Sequence, residues 1–409
     1  ELSTFLKILN AVKAFFSLSW CRILPEGRGR INEEGIAFYN RVIDCCLENG
    51  VVPNVTLFHY DLPQALAVQG GWANREIIKA FAEYAEVCFK AFGDRVKLWV
   101  TINEPKYYAY CSNIVGNYPP NHKLDFDRYF KTLYHEALAS ANAVAVYRKL
   151  HQDGRIGIVH DSSNVEVAPQ TKHPQRIRMI ADLFYNKLIL DCAIKGELPG
   201  ALLPWLNENG IDTSYVRFED ALTLAEGKVD FLGLNVYNRF YITDYSEGET
   251  EVFHNNRGAG SAAKEGIRIK NWYETTIDPS TKRNLWGREI YPRCMLNTLR
   301  EIRERYGDID VYITENGHGC YETPDENGVV QDEERIEMMQ GYIDFMFRAM
   351  EEGCPVRGYY AWSTMDLYSW VNGYEKRYGL VRVDFEDNCR RIPKKSYGWY
   401  KQLIEDFQK

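Results

Sequence analysis

Short apolar runs rich in β-branched residues recur along the chain, and between them apolar positions return every three to four residues. The runs are Lys13–Trp20, Val51–His59, Val96–Asn103, Arg155–His160, Phe231–Tyr237, Asp310–Asn316 and Gly358–Ser363. Most are continuous rather than alternating, the pattern of parallel strands covered on both faces. After Asn32, the residues Ile36, Tyr39, Val42, Ile43, Cys46 and Leu47 trace one helical face, with Asn32 as N-cap and Gly50 as stop. Ile77, Ile78, Phe81, Ala85, Cys88, Phe89 and Phe92 repeat the period before Gly93, and Ile336, Met339, Ile343, Met346, Phe347 and Met350 do so before Gly353. This alternation predicts an α/β fold, a (β/α)8 TIM barrel, as one domain over residues 1–409. Length alone would suggest two or three domains of about 100–200 residues each. Seven strands are visible, one short of closure, and the polar, weakly periodic segment Asn238–Arg288 reads as an excursion from the barrel.

Composition adds exclusions. With 45% hydrophobic and 26% charged residues, the chain is neither disordered, collagenous nor coiled coil. Its 49 basic and 57 acidic side chains give a net charge of −8 without long runs. No basic field exists to gather nucleic acid or an anionic membrane surface, and no apolar run approaches the roughly 20 residues of a membrane span. The N-terminal residues do not read as a signal peptide, and the Asn54-Val55-Thr56 sequon falls inside a strand-like run. Ten scattered cysteines include no C-x-x-C pair, so reduced thiols, a cytoplasmic location and no metal spacing are expected. The 28 Tyr and 9 Trp suit a flat-faced ligand such as a carbohydrate, but they suit a core equally.

Candidate chemistry gathers where a barrel places it, at the C-terminal ends of the strands. Those ends read His59-Tyr60-Asp61, Thr101-Ile102-Asn103-Glu104-Pro105, Asn235-Val236-Tyr237, Thr314-Glu315-Asn316-Gly317 and Trp362-Ser363. One Glu after a strand is ordinarily a loop acid or a helix N-terminal residue. Glu104 and Glu315 each close an apolar strand beside Asn and Thr, and two such carboxyls on one rim point to paired acid–base chemistry. Glycosidic bonds are hydrolysed by such a pair: at about 5–5.5 Å separation one attacks the anomeric carbon while the other shuttles the proton, with retention of configuration. His59 alone would read as a structural histidine and Trp362 alone as core; the shared rim gives them their interest.

With these motifs the chain resembles glycoside hydrolase family 1, the β-glucosidase and 6-phospho-β-glycosidase family, from about Ala14 onward. Thr101–Pro105 matches the family's T-[IFL]-N-E-P motif and Ile313–Gly317 its [IV]-T-E-N-G motif; Phe16–Trp20, Leu57–Pro63 and Phe231–Tyr237 match further segments. The resemblance implies Glu104 as acid/base and Glu315 as nucleophile. It also implies that His59, Asn103, Asn235, Tyr237, Trp362 and Trp370 contact the sugar or its catalytic carboxyls. Members acting on plain sugars usually carry Glu where this chain has Ser369, and Ser369 removes a charge that would repel phosphate. Ser369, Lys376 and Tyr378 are similar to a phosphate-binding loop, and Trp370 leans toward the galacto epimer. The implied activity is hydrolysis of 6-phospho-β-galactosides or 6-phospho-β-glucosides, as a disaccharide or aryl glycoside, with no cofactor or metal and with the oligomeric state open. A β-glucosidase or β-galactosidase of unphosphorylated sugars, or a catalytically weak sugar-phosphate-binding homologue, stays as an alternative. Two departures stand out. The family's first strand is expected to be missing, with Glu1 falling in what resembles the first helix, and Phe15 stands where the family places an Arg near the nucleophile. Tyr60 replaces the usual Trp, a milder change.

Overall fold

The computed structural model describes residues 13–162, 164–253, 266–284 and 287–407. Seven parallel strands form one sheet in chain order: β1 (Lys13–Ser17), β2 (Val52–Phe58), β3 (Leu98–Asn103), β4 (Arg155–Asp161), β5 (Phe231–Asn235), β6 (Asp310–Asn316) and β7 (Val356–Ala361). Each predicted run overlaps one of them, the last being shifted two residues too far along the chain, and the sheet curls into a nearly closed TIM barrel. Among the described residues β1 pairs only with β2 and β7 only with β6, so these two are the edges. The segment assigned from sequence to the family's first helix lies in residues 1–12, outside the described residues.

Helices α1 (Glu33–Glu48), α2 (Glu76–Phe92), α3 (Phe126–Lys149), α4 (Arg293–Tyr306), α5 (Glu333–Glu351) and α6 (Lys395–Phe407) follow their strands. All seven apolar positions predicted for α2 are buried. On α1 the buried stripe narrows to Gly35, Tyr39, Ile43 and Cys46, leaving Leu47 exposed. Asn32 does occupy the N-cap position, but its amide donates to the Arg22 carbonyl at 2.9 Å instead of capping the helix. The run ending at Trp20 is a shorter strand than predicted, because Ser19 accepts from the Arg22 amide and starts a helical turn at Trp20–Ile23.

The lumen is packed. Leu98, Val100, Val159, Phe231, Tyr312 and Tyr360 come from five different strands and form one buried cluster, as inward-facing barrel residues do. Phe15 joins them from β1, its ring 5.8 Å from that of Tyr360. The excursion is more ordered than its polarity suggests. Strands Arg239–Thr243, Tyr273–Thr275, Gly266–Ile269 and Glu251–Phe253 line up in that order, with Asn164–Val167 parallel to the first, in a five-stranded sheet. Residues 254–265 and 285–286 of the excursion lie outside the described residues.

Candidate active site

The strand ends converge on a cavity of about 750 Å³ whose described lining includes His59, Tyr60, Glu104, Asn235, Tyr237, Glu315 and Trp362. Glu104 follows β3 and Glu315 lies within β6, two strands that never pair, and Asn235 at the end of β5 bridges them. Its residue is the register partner of Glu315, while its amide donates to Glu104 Oε1 at 2.7 Å and to Asn103 Oδ1 at 3.2 Å. Asn235 Oδ1 in turn accepts from Thr314 Oγ1 at 2.6 Å, which fixes the amide's orientation. The Asn and Thr neighbours seen in sequence thus form a scaffold between the two acids.

The carboxyls have different surroundings. Glu104 sits at φ +46°, in the left-handed region, directly before the Pro105–Tyr110 helix. Tyr60, also left-handed at φ +85°, donates its hydroxyl to Glu104 Oε2 at 2.6 Å. Two non-glycine residues held in this region at one site are local strain that the surrounding packing sustains. Burial first, then the nearby Asp161 charge, pushes Glu104 up to about 7, against the opposing hydrogen bonds from Tyr60 and Asn235. Glu315 receives the Tyr237 hydroxyl on Oε2 at 2.7 Å, while its Oε1 is buried with no hydrogen-bond partner among the described residues. Burial raises its pKa as well, and the Glu104 charge adds to this; the Tyr237 hydroxyl favours the ionised form.

His59 bridges the rim, with Nδ1 3.2 Å from Ser17 Oγ and Nε2 3.4 Å from the Asn103 amide. Burial holds it neutral, with a pKa pushed down to about 4. Its ring stacks on Trp362 at 6.2 Å. Trp370 is 50% exposed at the mouth, its ring 5.5 Å from Tyr118 and 6.2 Å from Tyr60. Ser369 and Tyr378 both line the cavity, and a single amide, Asn372 Nδ2, donates to Ser369 Oγ at 3.1 Å and to Tyr378 Oη at 3.2 Å. Lys376 is placed differently from the other two. It is 3% exposed, its ammonium lies 5.5 Å from the Tyr378 ring centroid, and the described lining does not include it.

Three groups escaped the sequence reading. Tyr60 is visible in sequence only as a departure from Trp, yet the change supplies the hydroxyl that grips Glu104. The buried Lys106–Asp161 ion pair sets the field around Glu104, and nothing in its one-dimensional spacing marks it. Arg335, fully buried on α5, bonds the carbonyls of His318 and Tyr378 together with Asp332 and Glu322. It thereby ties the loop after β6 to the loop after β7.

The family model described as Glycosyl hydrolase family 1 matches residues 4–408. A 6-phospho-beta-galactosidase of Clostridium acetobutylicum is 36% identical over 393 residues, covering 95% of this chain and 82% of that protein. The 6-phospho-beta-glucosidase GmuD of Bacillus subtilis is 37% identical over 397 residues, 95% of this chain and 82% of the relative. Beta-glucosidase A of Thermotoga maritima is 36% identical over 397 residues, 97% and 83% respectively. A solved structure, the Thermotoga maritima beta-glucosidase in complex with castanospermine, superimposes with a TM-score of 0.85 at 35% identity, covering 98% of this chain and 84% of that one. With a family model matching almost end to end and relatives this similar over nearly the whole chain, the protein belongs to glycosyl hydrolase family 1.

Proposed function

We propose that this glycosidase cleaves 6-phospho-β-D-galactosides, 6-phospho-β-D-glucosides or both, with retention of configuration. Glu315 Oε1, which has no hydrogen-bond partner among the described residues, attacks the anomeric carbon while the bond to the leaving oxygen breaks. Glu104 gives its proton to that oxygen. In the second half, Glu104 takes a proton from water, and the water oxygen displaces Glu315 from the anomeric carbon. A pKa near 7 suits Glu104 to both tasks. Asn103, Asn235 and neutral His59 offer hydrogen bonds to sugar hydroxyls, Tyr237 holds the nucleophile, and the Trp362 face supports the ring.

The observation that carries the phosphate reading is the pair of hydroxyls from Ser369 and Tyr378, held side by side by Asn372 at the cavity wall. A hydroxyl at position 369 admits a phosphate that a carboxylate would repel. Phosphorylated sugars and free thiols such as Cys21, Cys88 and Cys389 agree with a cytoplasmic site of action. A plain β-glucosidase is the second reading. It is favoured by the position of Lys376 outside the described lining and by a beta-glucosidase relative as similar as the phospho-glycosidases.

Hydrolysis of nitrophenyl 6-phospho-β-galactoside, its 6-phosphoglucoside and both unphosphorylated counterparts separates the readings. Turnover confined to the phosphorylated pair supports the proposal, and the galacto/gluco ratio judges Trp370. Turnover of the plain sugars alone establishes the second reading, and silence on all four from folded protein leaves a binding homologue.

A further inference from the structure

The loop that leaves Glu315 carries a second group of donors. His318 and Cys320 are both buried, and Glu334 reaches toward them from the first turn of α5. His318 Nε2 lies 3.5 Å from Glu334 Oε1, and one donor atom from each of the three residues lies within 4.8 Å of the others. We propose that His318, Cys320 and Glu334 form a binding site for one soft divalent cation, best fitted by zinc.

The donor set is the first argument. An imidazole, a thiolate and a carboxylate are the ligands zinc takes, and three protein ligands leave a fourth position for water. Bonds of about 2.0–2.3 Å in tetrahedral geometry require donor atoms about 3.3–3.8 Å apart. His318 Nε2 and Glu334 Oε1 already stand at 3.5 Å, within that range, so any remaining closure involves Cys320 Sγ, toward which the 52% exposed Glu334 side chain can follow. Rigidity is the second argument. Cys320 exchanges both backbone hydrogen bonds with Arg377, at 2.8 and 3.0 Å, and Arg335 holds the His318 carbonyl. Two of the three donors therefore sit on a backbone already fixed. Charge is the third. On binding, the zinc–sulfur bond forms and the thiol proton leaves to solvent. Thiolate, carboxylate and dication then sum to zero, so the loaded site carries no net charge of its own into the buried loop.

This site takes no part in the hydrolysis proposed above and stands or falls separately. Its consequence is mechanical: a bound cation fastens α5 to the loop after Glu315.

The test titrates cobalt(II) into the reduced, full-length protein. One equivalent is expected to bind with a thiolate-to-cobalt charge-transfer band that zinc abolishes by displacement, and zinc is expected to raise the thermal midpoint. Cys320→Ser should remove the band, Glu334→Gln should weaken binding at least about tenfold, and Cys389→Ser, at the exposed cysteine, should leave both unchanged. No band at stoichiometric cobalt, or a band that survives in folded Cys320→Ser, overturns the site. Should Cys320→Ser fail to fold, Glu334→Gln decides: unchanged affinity in this surface variant overturns the proposal equally.

Discussion

The division of labour proposed for two identical side chains rests on a few hydrogen bonds. Glu315→Gln removes the carboxylate proposed as nucleophile and is expected to lower kcat by at least about 10⁴-fold, as loss of a nucleophile does. Glu104→Gln removes proton transfer and should cost about 10²–10⁴-fold, least for substrates whose leaving group needs no proton. The wild-type kcat/KM should fall as pH rises through about 7, because Glu104 then loses the proton it must donate. Tyr60 stabilises the ionised carboxyl, so Tyr60→Phe should move that limb to higher pH. Asp161→Asn should move it lower, because Asp161 raises the Glu104 pKa while Lys106 opposes it. Profiles that shift together in one direction would contradict this assignment. Stability follows the same sign. The folded state holds the Glu104 proton more tightly than the unfolded chain, so stability is lost progressively as pH rises from about 4.5 to about 7. The loss is roughly 1.4 kcal/mol for each pH step crossed in that window. Glu104→Gln is therefore expected to raise the thermal midpoint at pH 8 relative to wild type and to leave it nearly unchanged at pH 4.

At the scale of elements, the site is two loops pressed together. Gly317 shows how closely: a Cβ there would lie 1.9 Å from the Trp362 carbonyl oxygen, which no side chain can relieve, since the clash is with backbone. The Gly of the T-E-N-G motif is thus a requirement of the contact between the loops after β6 and β7. In the second loop, Asn372 clasps Ser369 to Tyr378. Asn372→Ala should raise KM for phosphorylated substrates about tenfold, the worth of roughly one good hydrogen bond to a charged ligand, with a much smaller effect on unphosphorylated ones. Lys376→Ala should discriminate in the same direction; equal losses on both substrate types would remove Lys376 and its loop from any phosphate site. Sequence made some of this legible. Strands β2 to β6 wrote themselves as continuous apolar runs because both of their faces are covered, whereas the edge strands β1 and β7 are half-buried, and Glu104 and Glu315 stood inside contiguous motifs. The excursion strands are three to five residues long and half-buried, too short to write a period. Tyr60 and Asn235 meet Glu104 from 44 and 131 residues away, pairings that only the barrel's register creates.

At the scale of the whole molecule, the shape of the cavity depends on how the excursion sheet docks against the barrel, since Phe240, Tyr241, Ile267 and Arg268 of that sheet line it. Arg239 holds the joint. Its guanidinium, almost wholly buried, bonds Glu166, Asp278 and both oxygens of Glu289, and it stacks on the rings of Tyr241 at 4.4 Å and Tyr291 at 3.8 Å. Glu166 also takes the Asn297 amide from α4, so the network runs from the excursion into the barrel's outer helices. A buried cation amid three acids contributes little net energy when complete, because desolvation offsets attraction, but breaking it strands the acids. Arg239→Met, which keeps the volume and the ring contacts, is therefore expected to destabilise the protein by about 3–5 kcal/mol at pH 7. The deficit should shrink as pH falls from about 4 toward 2, because Ser280 and then Arg239 hold Asp278 down at about 2, and the wild-type stability this contributes is lost across that window. A Met variant as stable as wild type at pH 7, or one whose deficit grows on acidification, would show that the sheet is held by packing alone. In that case the cavity wall should keep its shape without Arg239, and KM should not change. If the ion network holds the sheet, KM should rise with the loss of stability, most of all for substrates whose leaving group extends toward Arg268.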